Sequence, residues 1–197
     1  MKNISFNQYR AIDLTMLALV TAVFEAITAF AATKWFPGEL YAVSPTIAMM
    51  CIVMMRWGGF AAINAVLSGM AFSLASGATG KQTLIYVLGN CFALLALFLF
   101  KYPGKNKIKD KFYFTLLFVF AAYMGAQIGR WLVATLCGGA ADSIIMFFAT
   151  DTLSLLFSVV IVLISRKADG LFEDQKSYLI RMDKARRKKE AEDFYGQ

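Results

Sequence analysis

Residues 112–136 read FYFTLLFVFAAYMGAQIGRWLVATL, an apolar run with one charged side chain, Arg130. A helix of about 20 mostly apolar residues is long enough to cross the hydrocarbon core of a bilayer. Two glycines, Gly138 and Gly139, follow the run and mark a break in the helical pattern. The stretch therefore predicts a transmembrane helix.

The rest of the chain repeats this pattern, which predicts an all-α fold. We expect a six-helix transmembrane bundle over residues 11–166, between a short N-terminal arm (1–10) and a basic tail (167–197). Hydrophobic residues make up 59% of the chain and charged residues 17%, against about 45–50% and about 25% in soluble domains. The five other predicted spans are Ile12–Ala32, Tyr41–Met55, Phe60–Ala75, Thr83–Phe100 and Ser143–Ile164.

Positive charge is distributed unevenly between the predicted loops. If the N-terminus is cytoplasmic, 17 of the 20 lysines and arginines fall in cytoplasmic segments, and external loops hold Lys34 and Lys81. Cytoplasmic loops of membrane proteins carry such an excess. We expect a multi-pass protein of the cell membrane with both termini in the cytoplasm, and we do not expect a nucleic-acid partner.

The chain has no histidine, and its three cysteines, Cys51, Cys91 and Cys137, form no CxxC pair. These facts remove histidine-dependent catalysis and the usual zinc and dithiol motifs. We expect small packing cysteines, no metal, no cofactor and no catalytic residues.

Polar side chains inside the predicted spans gather at one depth. Ionisable residues within a bilayer are costly, so they usually face a cavity or a partner. The spacing along each span places these residues in the external half, and they predict a substrate-binding pocket. Its expected residues are Glu25, Tyr41, Tyr86, Asn90, Gln127, Arg130, Trp131 and Asp151, with Ser44 and Tyr123 as plausible additions.

A second interpretation remains open for these residues. Glu25 and Arg130 could form a structural ion pair that joins two helices, whether or not a pocket is present. Small residues at i and i+4 give another packing signal, because they let helix backbones approach closely in lipid. The pair Gly125 and Gly129 predicts packing inside the bundle.

Two stretches resemble a known family. The first span, LTMLALVTAVF (residues 14–24), carries Ala18 and Ala22 in an AxxxA pattern, and residues 55–69 read MRWGGFAAINAVLSG. The first stretch resembles the opening helix, and the second resembles the turn and third helix, of the substrate-binding S components of energy-coupling factor (ECF) transporters. That family binds water-soluble vitamins and related micronutrients and carries them inward.

The resemblance implies partners as well as a ligand. Ala18 and Ala22 would face a membrane-embedded T component, and two cytoplasmic ATPases would supply the energy. The chain itself has no GxxxxGK[ST] phosphate-binding loop, so we expect that it is not an enzyme. Two acidic groups, Glu25 and Asp151, against Arg130 favour a neutral or cationic vitamin-like heterocycle.

Other classes remain possible from the sequence. A self-sufficient small-solute transporter would need a polar route through both halves of the membrane, and an intramembrane enzyme would need a nucleophile or a carboxylate-held metal. A structural subunit of a membrane complex is a further alternative. The basic tail, which contains Arg186 and Arg187, is either an amphipathic helix on the anionic inner leaflet or a solvated, partly disordered segment.

Overall fold

A computed structural model describes residues 5–36, 43–140 and 142–195, with side chains as far as Lys188. These residues form helices and turns and contain no β-strand. Two 3-10 segments, Gly58–Phe60 and Phe92–Phe100, extend or connect the longer helices. The α-helices are α1 (Phe6–Lys34), α2 (Thr46–Trp57), α3 (Ala61–Ser76), α4 (Gly80–Cys91), α5 (Lys105–Asp110), α6 (Phe112–Leu136), α7 (Ser143–Thr150), α8 (Thr152–Lys167) and α9 (Gln175–Tyr195).

Long apolar helices dominate the described residues, as a membrane-embedded chain requires. Four helical stretches are long and apolar enough to cross a membrane: Phe6–Lys34, Thr46–Ser76, Gly80–Phe100 and Phe112–Leu136. The bent pair α7 and α8 brings this number to five if it forms one span. Many large apolar side chains on their outer faces are exposed, among them Met16 and Leu19 on α1. Lipid would solvate that surface.

The second helix runs antiparallel to the first. Thr46, at the start of α2, donates a hydrogen bond to Glu25 late in α1 (2.8 Å). Arg56, near the end of α2, reaches back to Asp13 early in α1 (2.7 Å).

The third helix runs parallel to the first, so the chain reverses between α2 and α3. Arg10 lies over the ring of Phe60, 4.5 Å from its centroid. Four residues after Phe60, on α3, Asn64 Nδ2 donates to Thr21 Oγ1 at 3.0 Å. The reversal occurs at Gly58, whose φ of +61° is accessible to glycine at low cost. Thr46–Ser76 is therefore two antiparallel helices joined by a 3-10 turn.

Helix α2 forms the centre of the core. Its residues Met50, Val53, Met54 and Met55 are fully buried, and the helix packs against α1, α3, α6 and α8. A helix surrounded by protein is apolar on all sides. The predicted second span began at Tyr41, which lies outside the described residues; the helix itself begins at Thr46.

Several boundaries differ from the predicted ones for local reasons. Helix α1 begins at Phe6, inside the predicted arm, because Ser5 and Gln8 form a capping box. The last predicted span bends by 43° at Asp151. The basic loop contains a short helix, α5, and the tail is helical from Gln175 to Tyr195. Contact of that tail with lipid stays a prediction.

Charged side chains tie the chain together at one end of the bundle. Arg56 binds Asp13 through Nε (2.9 Å) and Nη2 (2.7 Å), and its Nη1 donates to the Gly170 carbonyl at 2.5 Å. Trp57 Nε1 also donates to Asp13 (2.5 Å). Gln175 Nε2 donates to the same Gly170 carbonyl (2.7 Å). We call this end of the bundle the terminal end.

The segment that connects α8 to α9 is fixed at the terminal end by the basic loop. Lys105 pairs with Asp174 at 2.8 Å, and Lys109 pairs with Glu173. Partial burial alone would raise the pKa of Asp174, but hydrogen bonds from Lys105 and Ser177 outweigh this and lower the pKa below its ordinary value.

Replacing the buried arginine of the terminal end should destabilise the protein strongly. Arg56→Met leaves Asp13 without its cation and removes one of the two hydrogen bonds to the Gly170 carbonyl, and removing one partner of a buried pair costs roughly 3 kcal/mol or more. Thermal unfolding of the purified protein in detergent measures the loss.

The matched control is Arg181→Met. Arg181 pairs with Asp169 and Glu173, but its side chain is 51% exposed, and exposed pairs contribute about 0–1 kcal/mol. Equal melting temperatures for the two variants would show that the Arg56 cluster does not hold the terminal end together.

Candidate functional site

A cavity of about 490 Å³ lies at the end of the bundle opposite the terminal end. Glu25, in its wall, is 12 residues beyond Asp13 on α1, or about 18 Å at 1.5 Å per residue. Polar and aromatic side chains from several helices surround the space. The lining residues are Glu25, Ser44, Phe72, Gln82, Ile85, Tyr86, Asn90, Arg130, Ser143, Met146, Phe147, Thr150 and Asp151.

Arg130, on α6, makes the central polar contacts of this cavity. Its Nη1 forms an ion pair with Asp151 Oδ2 at 2.8 Å. Its Nε and Nη2 both donate to Asn90 Oδ1 on α4, at 3.0 and 2.8 Å. The Tyr86 ring lies 5.4 Å from the guanidinium carbon, a cation–π arrangement. These contacts fix the guanidinium between α4 and Asp151, which lies between α7 and α8.

Asp151 occupies the break between α7 and α8. Its Oδ2 accepts hydrogen bonds from Arg130 and from Gln127 Nε2, one turn earlier on α6. Gln127 Oε1 in turn accepts from Arg130 at 3.5 Å. The bend therefore holds an acidic group that is bonded to α6 from one side and borders the cavity.

Glu25 lies on α1 and is bonded to the segment that enters α2. Ser44 Oγ and Thr46 Oγ1 each donate to Glu25 Oε2 at 2.8 Å. Ser44 is tied to α8 as well, because its backbone N–H donates to Ser154 Oγ at 2.9 Å. Glu25 is only 3% exposed and lines the cavity.

Aromatic side chains form another part of the wall. The rings of Tyr86 on α4 and Phe72 on α3 have centroids 4.4 Å apart. Phe147, on α7, lines the same cavity. Flat apolar faces next to fixed polar groups suit a planar, polar small molecule.

The cavity-facing side of α7 was missed by the sequence interpretation. Ser143, Met146, Phe147 and Thr150 all line the cavity, and their spacing (i, i+3, i+4, i+7) is that of one helix face. This periodicity was visible in the sequence. It is hard to recognise because apolar residues occupy the other faces of α7 as well.

The structure brings together five of the eight predicted site residues. Glu25, Tyr86, Asn90, Arg130 and Asp151 line the cavity.

The other three predicted residues stand apart from this lining. Gln127 is fully buried beside it and holds Asp151. Trp131 is half-buried and does not line the cavity, because it follows Arg130 on α6 and points to another face. Tyr41 lies outside the described residues. Tyr123, named as an addition, donates to the Phe148 carbonyl at 3.1 Å instead.

The possible ion pair between Glu25 and Arg130 is not formed. Arg130 pairs with Asp151, and Glu25 binds two hydroxyl groups. Both acids therefore border the cavity, but a cation neutralises only Asp151. Among the described residues no group of three or more acidic, cysteine or histidine side chains could hold a metal.

Ala18 and Ala22 lie in a groove between α1 and α3. Phe60 of the 3-10 turn and Ile63 and Leu67 of α3 border this groove. Ala18 is only 4% exposed and forms part of the floor. A role for the two alanines in contacting a partner stays a prediction.

Close backbone packing sets the position of Arg130. A Cβ atom added at Gly89 on α4 would lie 2.7 Å from Arg130 Cα, and one added at Gly129 on α6 would lie 2.6 Å from the Gly89 carbonyl oxygen. At Gly125 it would lie 2.5 Å from the Phe92 carbonyl oxygen. The predicted internal packing of Gly125 and Gly129 is confirmed.

Adding a methyl group at this contact should destabilise the protein and its site. Gly89→Ala forces α4 and α6 apart, and overpacking of this kind costs about 1–3 kcal/mol. Thermal unfolding in detergent measures the change. Gly80→Ala is the control, because it makes the same substitution in the same helix and nothing lies within 4 Å of its added Cβ. An unchanged melting temperature for Gly89→Ala would contradict the close approach.

Comparison with protein-family models, with curated protein sequences and with solved structures finds no match for this chain. The assignment of a function therefore depends on the chemistry of the cavity and on the distribution of charge along the chain.

Proposed function

We propose that this chain captures a water-soluble vitamin or related micronutrient outside the cell and delivers it inward as the S component of an ECF-type transporter. The observation that carries the proposal is the cavity bordered by Glu25, Arg130 and Asp151. Ionisable groups within apolar helices cost several kcal/mol each in lipid. Their convergence on one open space supports a binding role.

The size and lining of the cavity suit a small molecule. Ligand sites usually enclose about 300–1,000 Å³ and combine apolar walls with a few fixed polar groups. The cavity of about 490 Å³ has Phe72, Tyr86 and Phe147 as aromatic walls and carboxylate, amide and hydroxyl groups for hydrogen bonds.

The proposed topology has six crossings with both termini in the cytoplasm. Because α2 and α3 run in opposite directions, we count them as two crossings, and we count the bent pair α7 and α8 as one. The 17 basic residues of the proposed cytoplasmic segments support this orientation. The cavity then lies on the external side.

Energy for transport would come from partner proteins. The groove with Ala18 and Ala22 at its floor is the proposed contact for a membrane-embedded T component, and two cytoplasmic ATPases would act through that component. Fully buried side chains of α2, including Met50 and Met54, fill the bundle between the cavity and the terminal end. This packing favours a carrier that depends on partners over a self-sufficient transporter with a continuous polar route.

Native mass spectrometry of the protein purified in mild detergent should reveal a bound small molecule. Thr150→Trp fills the cavity from α7 and should abolish the extra mass. Thr152→Trp is the matched control, because Thr152 is exposed on the outer face and its hydroxyl makes the same kind of bond to the carbonyl four residues earlier. Co-purification of a T component and ATPases supports the ECF role.

Two outcomes would argue against this proposal. A protein that carries no extra mass from any growth medium would not be a ligand-capturing subunit. Equal loss of the bound molecule in both tryptophan variants would place the ligand outside the cavity.

The proposed orientation can be tested with single cysteines. Lys81 and Lys107 are both exposed, near opposite ends of the bundle. In intact cells a membrane-impermeant thiol reagent should label the Lys81→Cys variant, whereas the Lys107→Cys variant should react only after permeabilisation. The unsubstituted chain, with its native cysteines, gives the background. The reverse pattern would invert the topology.

A further inference from the structure

The two acidic groups of the cavity are in different electrostatic states. Asp151 has a cation at 2.8 Å, the guanidinium of Arg130. All three nitrogens of that guanidinium are engaged, with Asp151, Asn90 and Gln127 as acceptors. Arg130 therefore has little capacity left to bind a negatively charged ligand.

Glu25 has no such counter-charge. No lysine or arginine of the described residues lies within ion-pair distance of its carboxyl group. Its two hydrogen bonds both end on Oε2, from Ser44 and Thr46. Oε1 receives no hydrogen bond from the described residues, although the side chain is 97% shielded from bulk solvent and lines the cavity.

A second polar atom of the cavity also lacks a partner. Ser143 Oγ, at the start of α7, is buried and makes no hydrogen bond to the described residues. Ser143 and Glu25 both line the cavity. Buried polar groups are normally hydrogen-bonded, so a ligand in the cavity is the natural partner for Ser143 Oγ, and the same ligand can donate to Glu25 Oε1.

We propose that Glu25 binds the cationic group of the ligand, and that the site selects planar aromatic cations over neutral and anionic molecules of the same shape. This inference rests on the proposed function and names the ligand class for that cavity. With Arg130 and Asp151 neutralising each other, Glu25 leaves one formal negative charge. A cation that donates to Oε1 compensates this charge, whereas an anion would add a second negative charge nearby.

The aromatic walls account for the planar part of the preference. Tyr86 and Phe72 lie together on one side of the cavity, and Phe147 contributes from α7. Aromatic faces attract cations as well as other flat rings. A delocalised cation can therefore lie along the aromatic wall while an N–H group reaches Glu25.

Three probes of matched shape test this charge preference: benzamidinium, benzamide and benzoate. They share one ring and a planar substituent of similar size, and they carry charges of +1, 0 and −1. Titration calorimetry on the intact protein in detergent gives each affinity. Because charge-assisted hydrogen bonds are about twice as strong as neutral ones, benzamidinium should bind roughly tenfold more tightly than benzamide, and benzoate most weakly.

Glu25→Gln should remove the preference for the cation. The amide oxygen can still accept from Ser44 and Thr46, so the fold should be kept, and benzamidinium affinity should fall roughly tenfold to the level of benzamide. Asp142→Asn is the matched control, since it removes an exposed acid beside α7 that does not line the cavity. This control should leave the ratio of the two affinities unchanged.

The proposed ligand class would be wrong if benzamide or benzoate bound as tightly as benzamidinium. It would also be wrong if none of the three probes bound at millimolar concentration. Retention of the cation preference in Glu25→Gln would overturn the role of Glu25. The proposed function is tested separately, because native mass spectrometry detects a captured molecule whatever its charge. The comparison among probes on the unsubstituted protein does not depend on any variant folding.

Discussion

The ion pair between Arg130 and Asp151 is the interaction on which the cavity depends. A guanidinium within apolar helices must be compensated, and loss of one partner of a buried pair leaves an unpaired charge at a cost of roughly 3–5 kcal/mol. Arg130 satisfies this requirement with an acid at the break between α7 and α8 and an amide on α4. The same contacts keep the bend at Asp151 against α6, so α7 turns across the space and becomes a wall of the cavity.

Backbone packing and charge compensation depend on each other in this region. Because residue 89 is a glycine, α4 can approach α6 very closely. A Cβ atom at this position would lie 2.7 Å from Arg130 Cα. The next residue, Asn90, then reaches the guanidinium with its side-chain oxygen. A larger residue at Gly89 would separate the two helices and lengthen this hydrogen bond. The glycines of α4 and α6 therefore contribute to the site although they do not line it.

The sequence could predict features that depend on local composition. The helix at residues 112–136 was predicted at its observed bounds because apolar length and a glycine break determine both ends. The depth of Glu25, Asn90, Arg130 and Asp151 followed from helical rise alone, and these residues do meet. Their pairing could not be predicted, because it depends on which helices are neighbours. The break at Asp151 and the cavity face of α7 were missed for a related reason: tertiary contacts to α6 hold the bend, and apolar residues surround the helix.

Two polar clusters in one bundle allow a structural role to be distinguished from a binding role. At the terminal end Asp13 accepts hydrogen bonds from Arg56 and Trp57. Arg56 also donates to the carbonyls of Gly170 and Leu171. That cluster satisfies itself. At the cavity Arg130 and Asp151 are likewise paired, but Glu25 keeps an unbonded oxygen and no counter-charge among the described residues. The cluster at the terminal end therefore offers no free acceptor in the part of the chain that the structure describes, whereas Glu25 offers one beside an open space, and this difference favours a ligand at Glu25.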